Sequence, residues 1–220
     1  MRYIHSIRNH DKRLIVMLTL YHSPQTRASR ILWLIAELGI WDQIDIRQVG
    51  IRRQDGSGGQ DPANPHPEGK VPLLVHDGVE IWESSAIILY LTDMFPKAGI
   101  GPLPGDKLRG RYLSWLAWYG DVVEPVLVCT MAQLSHPMVT ATFRGMPEMN
   151  ARLITALENN PYLVGDSFTA ADLLLASVYG WMPQITPDSQ AVRDWLERCN
   201  ARPAMKEMVD YEDKLLAPTA

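Results

Sequence analysis

Apolar and polar positions follow two different periods along this chain, and the change of period divides it in two. Met17–Tyr21 reads as a strand, and a loop over 22–26 then carries Ser23-Pro24. Beyond it Ile31, Leu34, Ile35 and Leu38 recur at i, i+3, i+4 and i+7, which predicts a helix from about Arg27. Gly39 is placed to end that helix. Ile44 and Ile46 alternate with Asp45 and Arg47, the pattern of a half-buried second strand. Val71–Val75 and Val79–Trp82 read as two more strands joined by His76-Asp77-Gly78, and Asp-Gly between apolar runs is a strong hairpin signal. A helix with Ile87, Tyr90, Leu91 and Met94 on one face follows and stops before Pro96.

From residue 107 onward the period is helical. Stretches start near Lys107, Thr140, Ala170, Ser189 and Pro203, the last with proline at a first helical position. Residues 96–106 (PKAGIGPLPGD) hold three prolines and three glycines and read as a linker. Residues 50–69 concentrate Gly and Pro in the same way and predict a long, mobile loop. The element order is βαβ, then ββα, then helices alone. The first unit needs a parallel crossover and the hairpin an antiparallel pair, so the predicted sheet is mixed. The expected fold class is α/β plus all-α. Residues 1–16 read as a disordered extension, 17–95 as the α/β domain, 96–106 as the linker and 107–220 as an all-helical domain. Met17 is a candidate for the natural start, a point that an intact mass would decide.

Composition narrows the function classes. With 46% hydrophobic residues, 21% charged residues and a net charge of -4, the chain is an ordinary globular one without the basic stripe of a nucleic-acid binder. Cys129 and Cys199 form no CxxC, so neither a metal knuckle nor a dithiol redox motif is expected. Two free thiols suit a reducing compartment and read as structural. No apolar run reaches the roughly 18–20 residues of a membrane span. Arg2, Arg8, Lys12 and Arg13 ahead of Leu14–Leu20 imitate a signal peptide, but no small-residue cleavage site follows and the apolar part reads better as a strand. The expected place is the cytoplasm.

Two short segments carry chemistry. In Gly69-Lys70-Val71-Pro72-Leu73-Leu74 a proline stands in an apolar strand, where it cannot donate to a ladder. Either the strand is an edge strand, or its edge is kept free so that the N–H and C=O of Val71 can pair with an extended peptide. A cis Val71–Pro72 bond would suit the second. In Glu83-Ser84-Ser85-Ala86-Ile87, Ser84 is placed as an N-cap at a helix tip. A helix tip also attracts a carboxylate. With Glu83 taking an ammonium, the pair matches the head of an α-amino acid.

The run G-K-V-P-L-L, a hairpin, then E-S-x-A-I-x-x-Y-L resembles the glutathione-site core of the glutathione transferase family. Gly165-Asp166-Ser167-Phe168-Thr169-Ala170-Ala171-Asp172 is similar to the family's helix-capping motif, and Thr169 and Asp172 form an S/T-x-x-D capping pattern. Ser23–Trp33 is similar to a bacterial and fungal subgroup reading S-R-[AS]-x-R-[ILV]-L-W-x-L, with Thr26 where the subgroup has serine. The likeness runs from about residue 17 to 210.

The resemblance implies an N-terminal thioredoxin-like domain and a C-terminal helical bundle, a homodimer, glutathione as co-substrate without a metal, and transfer of its thiolate to a small apolar electrophile in detoxification. It implies a hydroxyl that holds the sulfur, at Thr26, Ser23 or Tyr21. It also implies contacts to the peptide from Lys70, Val71, Pro72, Glu83 and Ser84, and from Arg52 and Arg53 toward the glycyl carboxylate.

Half-ionising a thiol of pKa about 8.5 at pH 7 requires roughly 2 kcal/mol. One charge-assisted hydrogen bond supplies roughly 1.5–3 kcal/mol, and a helix tip a few tenths more. Trp115, Trp118, Tyr119 and Val122 form a helical stripe, expected to be part core and part electrophile pocket, with Asp121 and Glu124 solvated or paired. No cysteine lies between residues 17 and 90, against a protein-cysteine reductase. The alternatives are a non-catalytic glutathione-binding or interaction protein, a glutathione-dependent peroxide or disulfide reductase, and a dedicated metabolic enzyme, such as an isomerase or dehalogenase, that uses glutathione as cofactor.

Overall fold

The computed structural model describes residues 18–217; the extension expected over 1–16, and Met17, lie outside the described residues. Strand β1 (Leu18–His22) leads through a tight turn into helix α1 (Ser29–Leu38). This start is two residues later than expected because Thr26 closes a turn of its own. Its carbonyl accepts from Ser29 N at 3.1 Å, and its hydroxyl accepts from Ala28 N at 3.1 Å. Gly39 ends α1 in the left-handed region (φ 65°), where a Cβ would be strained. Strand β2 (Ile44–Gln48) runs parallel to β1.

Strands β3 (Leu73–His76) and β4 (Val79–Trp82) form the hairpin, with Asp77 and Gly78 both at positive φ, as an Asp-Gly turn requires. The order is β2-β1-β3-β4, and β3 is antiparallel to both neighbours, so the sheet is mixed as its element order demands. β3 is interior, which removes the edge-strand explanation of Pro72. The proline stands just ahead of Leu73, and the ladder begins after it because Pro72 has no N–H to give. The Val71–Pro72 peptide bond is cis.

Helix α2 (Ser84–Met94) opens one residue differently from its expected cap. Glu83 occupies the N-cap position at φ 71°, ψ 126°, and Ser84 is the first helical residue, its side chain making no capping bond. The chain leaves β4 at Trp82 and reverses within one residue, so that residue takes the strained backbone and the serine moves inside.

The helical half comprises α3 (Arg109–Trp118), a π turn (Tyr119–Val123), α4 (Glu124–Met131), α5 (Pro137–Phe143), α6 (Met146–Glu158), α7 (Ala170–Trp181), α8 (Gln190–Asn200) and α9 (Pro203–Leu216). Pro125 explains the π turn: it lacks the donor that an α-helix needs there, and the preceding turn widens. The single stretch expected near Thr140 is two helices, parted at Arg144 (φ 63°) and Gly145. His136 is the N-cap of the first, its Nδ1 accepting from Met138 N at 3.2 Å.

One apolar core runs through both halves, from Leu20 and Ile35 to Leu174, Trp195 and Met208. The C-terminal helix α9 returns onto α1. Arg202 gives Nε and Nη2 to Glu37 at 2.6 Å each, and its guanidinium lies 3.8 Å from the centre of the Phe168 ring. At the base of the bundle the Thr169–Asp172 capping box forms as the spacing predicts. Asp172 is fully buried and accepts from Leu163 N (2.8 Å), Thr169 N (2.9 Å), Thr169 Oγ1 (2.9 Å) and Trp195 Nε1 (3.0 Å). Burial pushes its carboxyl above the ordinary range, opposed by those four donors.

Removing that acceptor strands buried donors, each costing about 1–3 kcal/mol. Asp172→Ala is expected to destabilise the protein by about 3 kcal/mol or more, read as a lower urea midpoint with the slope unchanged. A loss under about 1 kcal/mol would show that water replaces the carboxylate.

Candidate functional site

The expected site residues lie where β1 ends, β3 begins and β4 ends. Tyr21 pairs with Leu73, and Leu73 with Trp82. Carrying both registers two residues on sets Ser23 opposite Val71 and Val71 opposite Ser84. The topology thus brings three residues, far apart in sequence, into one row at one end of these strands. Each member has open hydrogen-bonding capacity. Among the described residues, neither the N–H nor the C=O of Val71 pairs with backbone, and the hydroxyls of Ser23 and Ser84 have no partner. Ser23 and Ser84 are 4% and 7% exposed, and Val71 is half-buried. The N–H groups of Ser84, Ser85 and Ala86 precede the first intrahelical bond of α2, Ile87 N to Glu83 O at 3.0 Å, and stay free at the helix tip.

Thr26 and Tyr21 are engaged otherwise. The Thr26 hydroxyl donates its one proton to Ser23 O at 2.6 Å. The Tyr21 hydroxyl lies 3.5 Å from Arg47 Nη1 on β2. Arg53 reaches the turn itself, Nη2 donating to Pro24 O at 3.2 Å, while exposed Arg52 bridges to Gly58. Lys70 is exposed and ion-paired with Glu68.

The long loop carries hydrogen bonds of its own. Asp61 accepts from Gly50 N and Ala63 N, both at 2.8 Å, which together hold its carboxyl below the ordinary range. Buried Asn64 donates to Lys70 O at 3.1 Å and so fixes the approach to Val71.

Two clusters that the sequence did not single out hold the Ser23–Ser29 turn against the helical half. Glu212 on α9 accepts from Ser29 Oγ at 2.5 Å and from Gln25 N at 3.5 Å, and its Oε1 lies 3.2 Å from Nε2 of fully buried His22. Burial alone would raise the Glu212 carboxyl, but His22, Ser29 and Gln25 together bring it below the usual range. Glu124 at the start of α4 takes Nε and Nη2 of Arg27 at 2.7 Å each, and also the hydroxyl of Tyr119, which accepts from buried Arg30.

Of the aromatic stripe, Trp115 and Tyr119 are buried, while Trp118 and Val122 are half-buried. Trp115 donates to Leu163 O at 2.9 Å and borders a cavity of about 570 Å³ between α3 and α6, on residues separate from the row at the strand ends. Among the described residues no group of three or more metal-ligating side chains occurs, and no helix is long and apolar enough to cross a membrane.

A mixed four-stranded sheet with an unpaired backbone at Val71 beside a helix tip, backed by a helical bundle, defines a thioredoxin-like protein with a helical second half. The chain matches the glutathione S-transferase N-terminal domain over residues 16–93 and the C-terminal domain over 122–203; it belongs to the glutathione S-transferase family. It is 28% identical over 211 residues to the disulfide-bond oxidoreductase YfcG of Escherichia coli, covering 86% of this chain and 92% of that protein. It is 26% identical over 196 residues to protein LigF of a Sphingobium species, covering 66% and 75%. A sphingomonad glutathione S-transferase solved in complex with glutathione superposes with a TM-score of 0.72 at 26% identity, over 89% of this chain and 98% of that one.

The Glu212 carboxylate is held below its ordinary pKa, so its stabilisation is present above the unfolded glutamate value and lost as pH falls through the folded one. Glu212→Gln is expected to cost about 1–2 kcal/mol at pH 7. Urea unfolding of both proteins should converge as pH is lowered through and below the ordinary glutamate range. A difference that does not change with pH would remove the ionised carboxylate from the account.

Proposed function

We propose that the protein binds glutathione along the Ser23–Val71–Ser84 row and uses its thiolate to attack a small electrophile. The observation that carries the reading is the alignment of an unpaired Val71 backbone with two open hydroxyls beside a free helix tip. An extended tripeptide pairs with the N–H and C=O of Val71 as an added strand. Its γ-glutamyl carboxylate takes the tip of α2 at Ser84, and Glu83 takes the ammonium. Pro72 shapes the entry to β3, Lys70 lies beside the peptide, and Arg52 and Arg53 face the glycyl carboxylate from the loop.

For the sulfur, the choice falls on Ser23. Its hydroxyl proton is uncommitted, whereas that of Thr26 is spent on Ser23 O. Thr26 then positions the turn, and Tyr21 stays with Arg47. The hydroxyl donates to the thiolate and stabilises it; it is not itself a nucleophile. The thiol proton passes to water, the carbon–sulfur bond forms, and the leaving group departs with its electron pair. A transferase acting in the cytoplasm as a homodimer in detoxification belongs with this reading.

A second reading, glutathione-dependent disulfide reduction, is favoured by the likeness to the Escherichia coli protein named a disulfide-bond oxidoreductase. Two glutathiones would supply the electrons and leave joined as glutathione disulfide, while the substrate's S–S bond breaks and it is released as two thiols. This reading assigns no role to Cys199, which is buried with its thiol pushed up.

Calorimetry with glutathione, together with turnover of a chlorodinitrobenzene and of a mixed disulfide, tests both readings. Ser84→Ala is expected to weaken glutathione binding about tenfold. Ser23→Ala is expected to raise the pKa of the bound thiol by about one unit, seen in the ultraviolet thiolate band, with a larger loss in kcat than in affinity. Thr26→Ala having that effect in place of Ser23→Ala would transfer the role. Absence of any binding heat would end the reading.

A further inference from the structure

Beside the proposed thiol site lies a charge arrangement that conjugation as described leaves unused. Arg27, next to Thr26 in the turn, spends Nε and one N–H of Nη2 on Glu124. A guanidinium has five donors in a fixed fork. The opposite edge, Nη1 and the remaining N–H of Nη2, has no partner among the described residues. The same guanidinium carbon lies 5.6 Å from the centre of the Trp181 ring at the end of α7, and Trp181 is 52% exposed.

Glu124 is shared. Arg30 Nη1 is 3.8 Å from its Oε1, and Arg30 also reaches it through the Tyr119 hydroxyl. Burial lowers the Arg30 guanidinium to about 10, against the pull of Glu124, so it remains a cation at neutral pH. Two cations therefore share one carboxylate, leaving a net positive charge beside an open aromatic face. A purely structural tie between the halves would need only one guanidinium per carboxylate.

We propose that the electrophile is an aromatic compound bearing a carboxylate, its ring stacked on Trp181 and its carboxylate held by the open edge of Arg27. This rests on the conjugation reading and narrows its substrate class. Glu124 orients Arg27 so that the free edge faces the substrate, and a planar fork matches a carboxylate in two hydrogen bonds. The step is substitution: the glutathione thiolate bonds to the halogen-bearing ring carbon, the carbon–halogen bond breaks, halide leaves and the thiol proton goes to water. Nothing is oxidised or reduced.

The test compares a chloronitrobenzoate with the matching chloronitrobenzamide, of nearly equal shape but uncharged, each enzymatic rate divided by the same compound's uncatalysed rate with free glutathione. The full chain is expected to prefer the carboxylate by about tenfold or more in kcat/KM, a preference that shrinks with added salt. Arg27→Gln should bring the ratio close to one, and Arg27→Lys, which keeps the charge but loses the fork, should leave an intermediate ratio. A ratio near one in the unaltered protein, or one that Arg27→Gln and salt leave unchanged, overturns the proposal. If neither compound turns over, conjugation itself fails, and calorimetry with the two preformed S-aryl glutathiones decides the remaining point. A tenfold preference for the carboxylated conjugate upholds the Arg27 site; equal or undetectable affinity overturns it.

Discussion

The ladder between β3 and its neighbours must stop at Leu73, because Pro72 has no N–H to extend it. In an interior strand this is costly unless something else takes the backbone that is left open. Water can do so in a shallow recess, and an extended peptide can do it better. The same constraint sets the positions of the groups around it. β1 must leave the sheet at His22, and β4 must turn into α2 at Glu83, so the residues that follow each strand flank Val71. The strain at Glu83 (φ 71°) belongs to the same corner.

The helical half does more than cover the sheet. Glu124 on α4 and Glu212 on α9 grip the same short turn, Ser23–Ser29. Buried or half-buried carboxylates are expensive to desolvate and are tolerated only where several donors meet them. Both have such donors, so the position of the Ser23 hydroxyl depends on the seating of α4 and α9. Movement of either helix would displace that hydroxyl without altering the sheet.

What could be read from the sequence was local. The Asp77-Gly78 hairpin, the Gly39 stop and the Thr169–Asp172 box depend on residues within a few positions of one another, and each stands as its spacing requires. The mixed sheet follows from the order of elements. The start of α2 differs by one residue from the serine cap that the sequence predicts, because a cap is chosen by backbone geometry at a sharp reversal, which a serine next to a glutamate does not reveal. Arg27 with Glu124, and His22 with Glu212, were out of reach because the partners lie 97 and 190 positions apart, and no short-range pattern marks them. Asn64 and Asp61 carried a faint signal: an Asn or Asp within a Pro-rich loop often closes turns onto backbone N–H groups.

The structure also changes the balance of forces on the sulfur. The sequence suggests that the tip of α1 contributes to holding a thiolate. That tip is already occupied: Thr26 takes the N–H groups of Ala28 and Ser29, and the anionic Glu212 sits against Gln25 and Ser29. An anion there offsets the helix dipole rather than adding to it. On the proposed reading, the roughly 2 kcal/mol needed to ionise a thiol at neutral pH would come from the Ser23 hydroxyl and, before a substrate carboxylate is bound, from the net charge of the Arg27–Arg30–Glu124 group. The first acts by contact and is insensitive to salt, while the second acts through space and is screened. Glu212 is therefore best understood as fixing the turn at some electrostatic cost to the thiolate, and the second guanidinium on α1 as offsetting that cost.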